Sequence, residues 1–122
     1  MKWKRDRGSP LIAIVGPCAS GKTTLVDELR AQGFDARQIV QEHSYVPAMW
    51  AKITKPDLLI YLDASYETCT RRKNLDWTPA EYQVQIERLS HAREHCNLYI
   101  DTEDSSPEEI AGITLEFLNS RD

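Results

Sequence analysis

The chain has 122 residues, with 15 basic and 19 acidic side chains for a formal charge of −4. That length supports one domain with one modest core and excludes two independent ones. A hydrophobic fraction of 41% with 28% charged residues is globular and excludes a disordered chain. No apolar run reaches the about 18 residues of a membrane span, and no signal peptide is visible. Cysteines at 18, 69 and 96 make no disulfide framework, so a cytoplasmic location is expected. Residues 1–8 carry four cations against one acid, whereas residues 101–122 carry seven acids against one arginine. An acidic chain of this kind suits duplex nucleic acid poorly. The basic start reads as a flexible tail over residues 1–10, with a single domain over 11–122.

Pro10 ends that tail. Leu11-Ile-Ala-Ile-Val15 is apolar throughout and reads as a strand buried on both faces. From Lys22 the periodicity becomes helical, with Leu25, Val26 and Leu29 on one face and Gly33 as the stop. Residues 35–41 form a second, less apolar strand nearer an edge. Pro47 can open a short helix through Met49, Trp50 and Ile53, ending before Pro56. Residues 57–63 form a third strand, apolar like the first. Ser65 can cap a helix through Arg72, and a short connection over 74–77 follows. Thr78-Pro79-Ala80-Glu81 has a cap, a first-turn proline and a glutamate in capping-box spacing. The helix it opens places Tyr82, Ile86, Leu89 and Cys96 on one stripe. Residues 97–101 make a fourth strand. Ser106-Pro107-Glu108-Glu109 opens a last helix with Ile110, Ile113, Phe117 and Leu118 as its apolar face. Strands alternating with helices predict a three-layer α/β domain, with helices on both faces of a parallel sheet of about four strands.

Gly16-Pro17-Cys18-Ala19-Ser20-Gly21-Lys22-Thr23 matches G-x-x-x-x-G-K-[ST] at every fixed position, between a buried strand and a helix. The glycines let successive backbone N–H groups face one centre, and the helix start adds its dipole. Lys22 is expected to reach the β- and γ-phosphates of a nucleoside triphosphate, and the Thr23 hydroxyl to ligate Mg²⁺. Thr24 either packs or contacts the α-phosphate. Cys18 is either a small residue at a variable position or a thiol activated by the helix start.

With these residues the chain resembles the small P-loop kinases related to shikimate, adenylate and nucleoside-type kinases. The resemblance extends through Lys55-Pro56-Asp57-Leu-Leu-Ile-Tyr-Leu-Asp63-Ala-Ser65 with Glu67 and Arg71-Arg72, and through Leu98-Tyr-Ile-Asp-Thr102 with Pro107-Glu-Glu-Ile110. It implies a P-loop NTPase fold, Mg-ATP as cofactor, and a lid arginine supplied by Arg71 or Arg72. Those kinases usually carry a further strand with a metal-facing acid, and helices that bind the acceptor. Here only residues 42–56 are available, so the resemblance implies a shortened member with strand order 2-1-3-4. The acid then falls to Glu42, at the end of the second strand, with Asp63 as the alternative. His43, Tyr45 and Trp50 leave the same edge, where Trp50 either faces an acceptor or closes the core. Arg88 and Arg93 are further cationic candidates.

Other patterns are weaker. Thr54-Lys55-Pro56-Asp57 fits a guanine-reading motif but precedes its strand instead of following it. His91, His95 and Cys96 have metal-like spacing but no fourth ligand nearby. The expected function is Mg²⁺-ATP-dependent phosphotransfer to a small hydroxyl or phosphate acceptor. The alternatives are a nucleotide-binding regulatory ATPase module with little or no transfer, and an enzyme acting on single-stranded nucleic-acid ends.

Overall fold

The computed structural model describes residues 10–120. The basic tail read from residues 1–9 lies outside the described residues, as do residues 121–122. Pro10, assigned to the end of that tail, is buried.

Four strands, β1 (Leu11–Val15), β2 (Asp35–Gln38), β3 (Leu58–Asp63) and β4 (Leu98–Asp101), form one sheet. Every pairing is parallel and the order is β2-β1-β3-β4, as the motif order predicts. Ile12 pairs with both Ala36 and Leu58, so the two most apolar strands lie at the centre. Alternate residues feed two cores. Ile12, Ile14, Leu58, Ile60 and Leu62 pack against α1 (Lys22–Ala31) and α5 (Pro107–Ser120). Ala13, Val15, Leu59 and Tyr61 pack against Leu89 and Ala92, with Met49 and Trp50 beside them.

Local chemistry sets the helix ends. Gly33 takes the left-handed conformation (φ +91°) just after α1. Ser65 Oγ accepts the Thr68 N–H at the start of α2 (Tyr66–Lys73), which ends at a left-handed Asn74. The Thr78/Glu81 capping box opens α3 (Pro79–Arg88), and Ser106 and Glu109 exchange the same pair of bonds before α5.

Four expectations shift. The second strand stops at Gln38, and Gln41–His43 winds into a 3₁₀ turn. The cause is the fully buried Gln41 side chain, which donates to Val46 and Arg88 carbonyls and accepts the Trp50 N–H. The helix placed at Pro47 is a turn leading into a π turn over Trp50–Thr54, ended by left-handed Lys55 before Pro56. The helix from Pro79 divides at buried Leu89, whose N–H is shared between Gln85 and Ile86 carbonyls, and resumes as α4 (Ser90–His95). Its buried stripe runs through Gln85, Leu89 and Ala92, with Ile86 half-buried. On α5 the buried face is Ile110, Ala111, Thr114 and Leu118, while Ile113 is exposed. Thr114 tolerates burial because its hydroxyl donates to the Ile110 carbonyl at 2.9 Å.

Gly16 closes β1 where no side chain fits: a Cβ there would lie 2.2 Å from the Leu62 carbonyl oxygen. Gly21 has open space around its Cβ position but a φ of +104°. Gly16→Ala is therefore expected to cost about 3 kcal/mol or more, and Gly21→Ala about 1–2 kcal/mol, read as shifts in denaturant midpoint.

Candidate functional site

The loop between β1 and α1 sits at the carboxyl edge of the sheet. Ala19 is left-handed at φ +67°, and with Gly21 it curls the backbone around one centre. Ser20 N–H donates to the Pro17 carbonyl, which fixes the curl from inside. Among the described residues no side chain caps the start of α1, so its first-turn amides have no side-chain partner there.

Lys22 and Glu42 meet at 2.8 Å, with side chains 5% and 4% exposed. The Lys22 ammonium also donates to the Gly16 and Pro17 carbonyls, at 2.6 and 3.2 Å. Glu42 Oε2 takes the lysine, while Glu42 Oε1 is buried without a partner, as is Ser20 Oγ. Glu42 hangs from the 3₁₀ turn that follows β2, so the two central-edge strands fix the pair.

Two cavities adjoin the loop. One, of about 310 Å³, is bounded by Cys18, Gly21, Lys22, Thr23, Gln38 and Glu42. The other, of about 220 Å³, lies between Ala19–Gly21 and Thr24 on one side and Arg72, Ser105 and Pro107 on the other. Lys73 borders both. The structure thus gathers Cys18, Ala19, Gly21, Lys22, Thr23, Thr24 and Glu42 from the predicted set around one space. Gly16, Pro17 and Ser20 support it from behind.

Asp63 lines neither cavity. Its carboxylate accepts the Tyr99 hydroxyl and the Ala64 N–H, and its carbonyl accepts the Thr102 N–H and hydroxyl. This engages the late-strand aspartate in joining β3 to β4. Thr23 and Glu42 share the larger cavity, and the Thr23 hydroxyl accepts a 3.2 Å bond from Gln38.

The adjacent arginines separate as helical geometry requires. Arg72 donates to the Ala19 carbonyl in the loop and to both the hydroxyl and carbonyl of Thr102. Arg71 reaches only Thr68, at 3.5 Å. Arg88 donates to the Glu42 carbonyl and lies 4.4 Å over the Tyr45 ring, while Arg93 covers Tyr99. Trp50 closes the core: its indole N–H donates to His91 Nδ1 at 3.2 Å and its ring packs on the second cluster.

The weaker patterns resolve into structural roles. Asp57 accepts the Leu11 N–H at 2.7 Å at the amino ends of β1 and β3, opposite the phosphate loop. His95 Nδ1 lies 2.8 Å from the His91 carbonyl and Cys96 donates to the Arg93 carbonyl.

Several residues escaped sequence reasoning. Gln85, 7% exposed, accepts the Cys18 N–H and donates to Cys18 Sγ. Its signal was a polar residue on an otherwise apolar helical stripe. Thr102 and Glu103 carried no such signal, because loop residues after β4 have no periodicity to break. Glu103 accepts from the Ser65 N–H, Ser65 Oγ and Thr68 Oγ1. The Thr68 hydroxyl first, and then the Ser65 N–H, hold its carboxyl below the ordinary 4.5.

A carboxyl depressed by folding contributes stability above its unfolded pKa and loses it as pH falls through the folded one. Glu103→Gln is therefore expected to lower the melting temperature at pH 7. The gap from wild type should narrow as pH drops below about 4.

No protein-family model and no curated protein sequence matches the chain. Among solved structures it is similar to shikimate kinase from Acinetobacter baumannii in complex with shikimate, with a TM-score of 0.63 and 17% identity. The match takes in 93% of this chain and 95% of that one. No helix among the described residues is long and apolar enough to cross a membrane. The all-parallel 2-1-3-4 sheet and the structural likeness together give this chain a P-loop kinase-like α/β fold.

Proposed function

We propose that this chain binds Mg-ATP and transfers its γ-phosphoryl group to a small hydroxyl- or phosphate-bearing acceptor. The observation that carries the reading is the buried Lys22–Glu42 pair beneath an uncapped helix start. It sets a cation for the phosphates and an acid for the metal side within one cavity. Glu42 Oε1, buried and unpartnered, and the Thr23 hydroxyl are hard oxygen donors, which suit Mg²⁺. When bound, Mg²⁺ supplies charge neutralisation between the β- and γ-phosphates.

The chain's own groups divide the remaining work. The amides of residues 21–24 and the α1 dipole hold the phosphates. Lys22 leaves the Gly16 and Pro17 carbonyls for phosphate oxygens while Glu42 keeps it in place. The 220 Å³ cavity, walled by Arg72, Pro107 and Ile110, is the place for the base. Arg72, hydrogen-bonded to the loop itself, is positioned to stabilise charge that develops on the transferred group. The similar solved kinase is in complex with shikimate, and the 310 Å³ cavity that Glu42 borders is the side for a small acceptor here. Residues 1–9, with their four cations, lie outside the described residues and play no part in this reading.

Two variants test it. Lys22→Ala should abolish Mg-ATP binding in calorimetry, with circular dichroism confirming the fold; unchanged affinity would end the proposal. Arg72→Ala should reduce γ-phosphate transfer, screened with radiolabelled ATP over nucleosides, sugars and small acids, by about a hundredfold or more. Arg71→Ala should stay near wild type. If ATP binds but no acceptor is labelled above hydrolysis, the chain is instead a nucleotide-binding module.

A further inference from the structure

The space in front of the phosphate loop holds a second donor set, which shares Glu42 with the proposed nucleotide site and adds Cys18 and His43. Cys18 Sγ lies 3.7 Å from His43 Nε2, and His43 Nε2 lies 3.9 Å from Glu42 Oε2. One ligand atom from each of Cys18, Glu42 and His43 falls within 4.8 Å of the others. Around a tetrahedral zinc ion, bond lengths of 2.0–2.3 Å place neighbouring donors about 3.4–3.6 Å apart. The side chains therefore stand between a few tenths of an ångström and about 1.4 Å from closing on such an ion.

We propose that Cys18, His43 and Glu42 form a three-ligand site for a borderline-soft divalent cation of the zinc class. Three features support it. The donors combine thiolate, imidazole and carboxylate, a set that favours Zn²⁺ or Co²⁺ over Mg²⁺. Glu42 is 3% exposed and spends Oε2 on Lys22, leaving Oε1 buried without a partner. The oxygen 3.9 Å from His43 is Oε2, which Lys22 holds, so a cation takes it as the carboxylate turns to give Lys22 the free Oε1. Finally, the thiol is held from outside: Gln85, buried on α3, grips Cys18 at both its N–H (3.0 Å) and its sulfur (3.2 Å). An N–H aimed at sulfur fixes its direction, as outer-shell partners of metal ligands do. Gln85 is a positioning residue here. On coordination the thiol proton passes to solvent, and the fourth position is left for water or an oxyanion in the 310 Å³ cavity that Cys18 and Glu42 border.

The test uses the full chain, reduced and without nucleotide, so its outcome is independent of the phosphotransfer reading. Zn²⁺ is titrated against a chromophoric chelator, and Co²⁺ is added separately to read thiolate-to-metal charge transfer. One equivalent of Zn²⁺ should bind, with excess Mg²⁺ unable to displace it. Cys18→Ser and His43→Ala should each weaken binding about tenfold or more and abolish or shift the cobalt thiolate absorption. Cys96→Ser and His91→Ala, at the other cysteine–histidine group, should bind like wild type. Gln85→Leu should weaken zinc binding while Cys18 still supplies the cobalt band. Equal zinc affinity in wild type and Cys18→Ser, a cobalt spectrum without thiolate character, or loss of binding in His91→Ala would each overturn the site. Circular dichroism of every variant separates loss of a ligand from loss of fold.

Discussion

Everything at the carboxyl edge of this sheet depends on one buried ion pair, Lys22 with Glu42. Two charges withdrawn from water are tolerated only when their remaining hydrogen-bonding capacity is met. Here the ammonium is met by the carbonyls of Gly16 and Pro17. Those carbonyls point inward because the loop curls through left-handed Ala19 and Gly21, and the curl begins where Gly16 passes against the Leu62 carbonyl with no side chain between. A charge pair, a glycine and the seam between β1 and β3 are thus one mechanical unit.

Around that unit the fold uses polar side chains as ties between elements. Gln41 joins the segment after β2 to Val46, Trp50 and Arg88, and so to the end of α3. Arg72 and Thr102 tie α2 and the end of β4 to the phosphate loop. Glu103 binds the loop after β4 to the capped start of α2. Apolar packing sets the layers, whereas these ties set where the loops stand above them. A small sheet with short connections has little other means of holding its functional edge.

The strands, the glycine-bearing turn between β1 and α1 and most helix caps were legible in the sequence because each rests on local chemistry. Leu11–Val15 and Leu58–Asp63 announce themselves by unbroken apolarity, and Thr78/Glu81 by cap spacing. The 2-1-3-4 order followed from the resemblance and the motif sequence. What could not be read was long-range and polar. The curl at Gln41–His43 depends on a glutamine whose partners lie up to 47 residues away. The break at Leu89 depends on packing against the sheet, not on a proline or glycine. On α5 small Ala111 and back-bonded Thr114 take the buried positions beside Ile110 and Leu118 in place of Ile113, which periodicity counted by hydrophobicity alone overlooks. Arg71 and Arg72 were indistinguishable until the tertiary structure turned one toward Ala19.

Ala19 has a wider consequence. A residue with a Cβ held at φ +67° carries conformational strain of the order of 1 kcal/mol before any ligand arrives. That strain is retained because Arg72 grips the Ala19 carbonyl and the Ser20 amide grips Pro17. On the proposed nucleotide-binding reading, an anion entering the loop would meet amides that already converge, so little of its binding free energy would be diverted to ordering backbone. The cradle behaves as a loaded template: its conformational work is done during folding, and its affinity is in part a property of how firmly α2 is anchored.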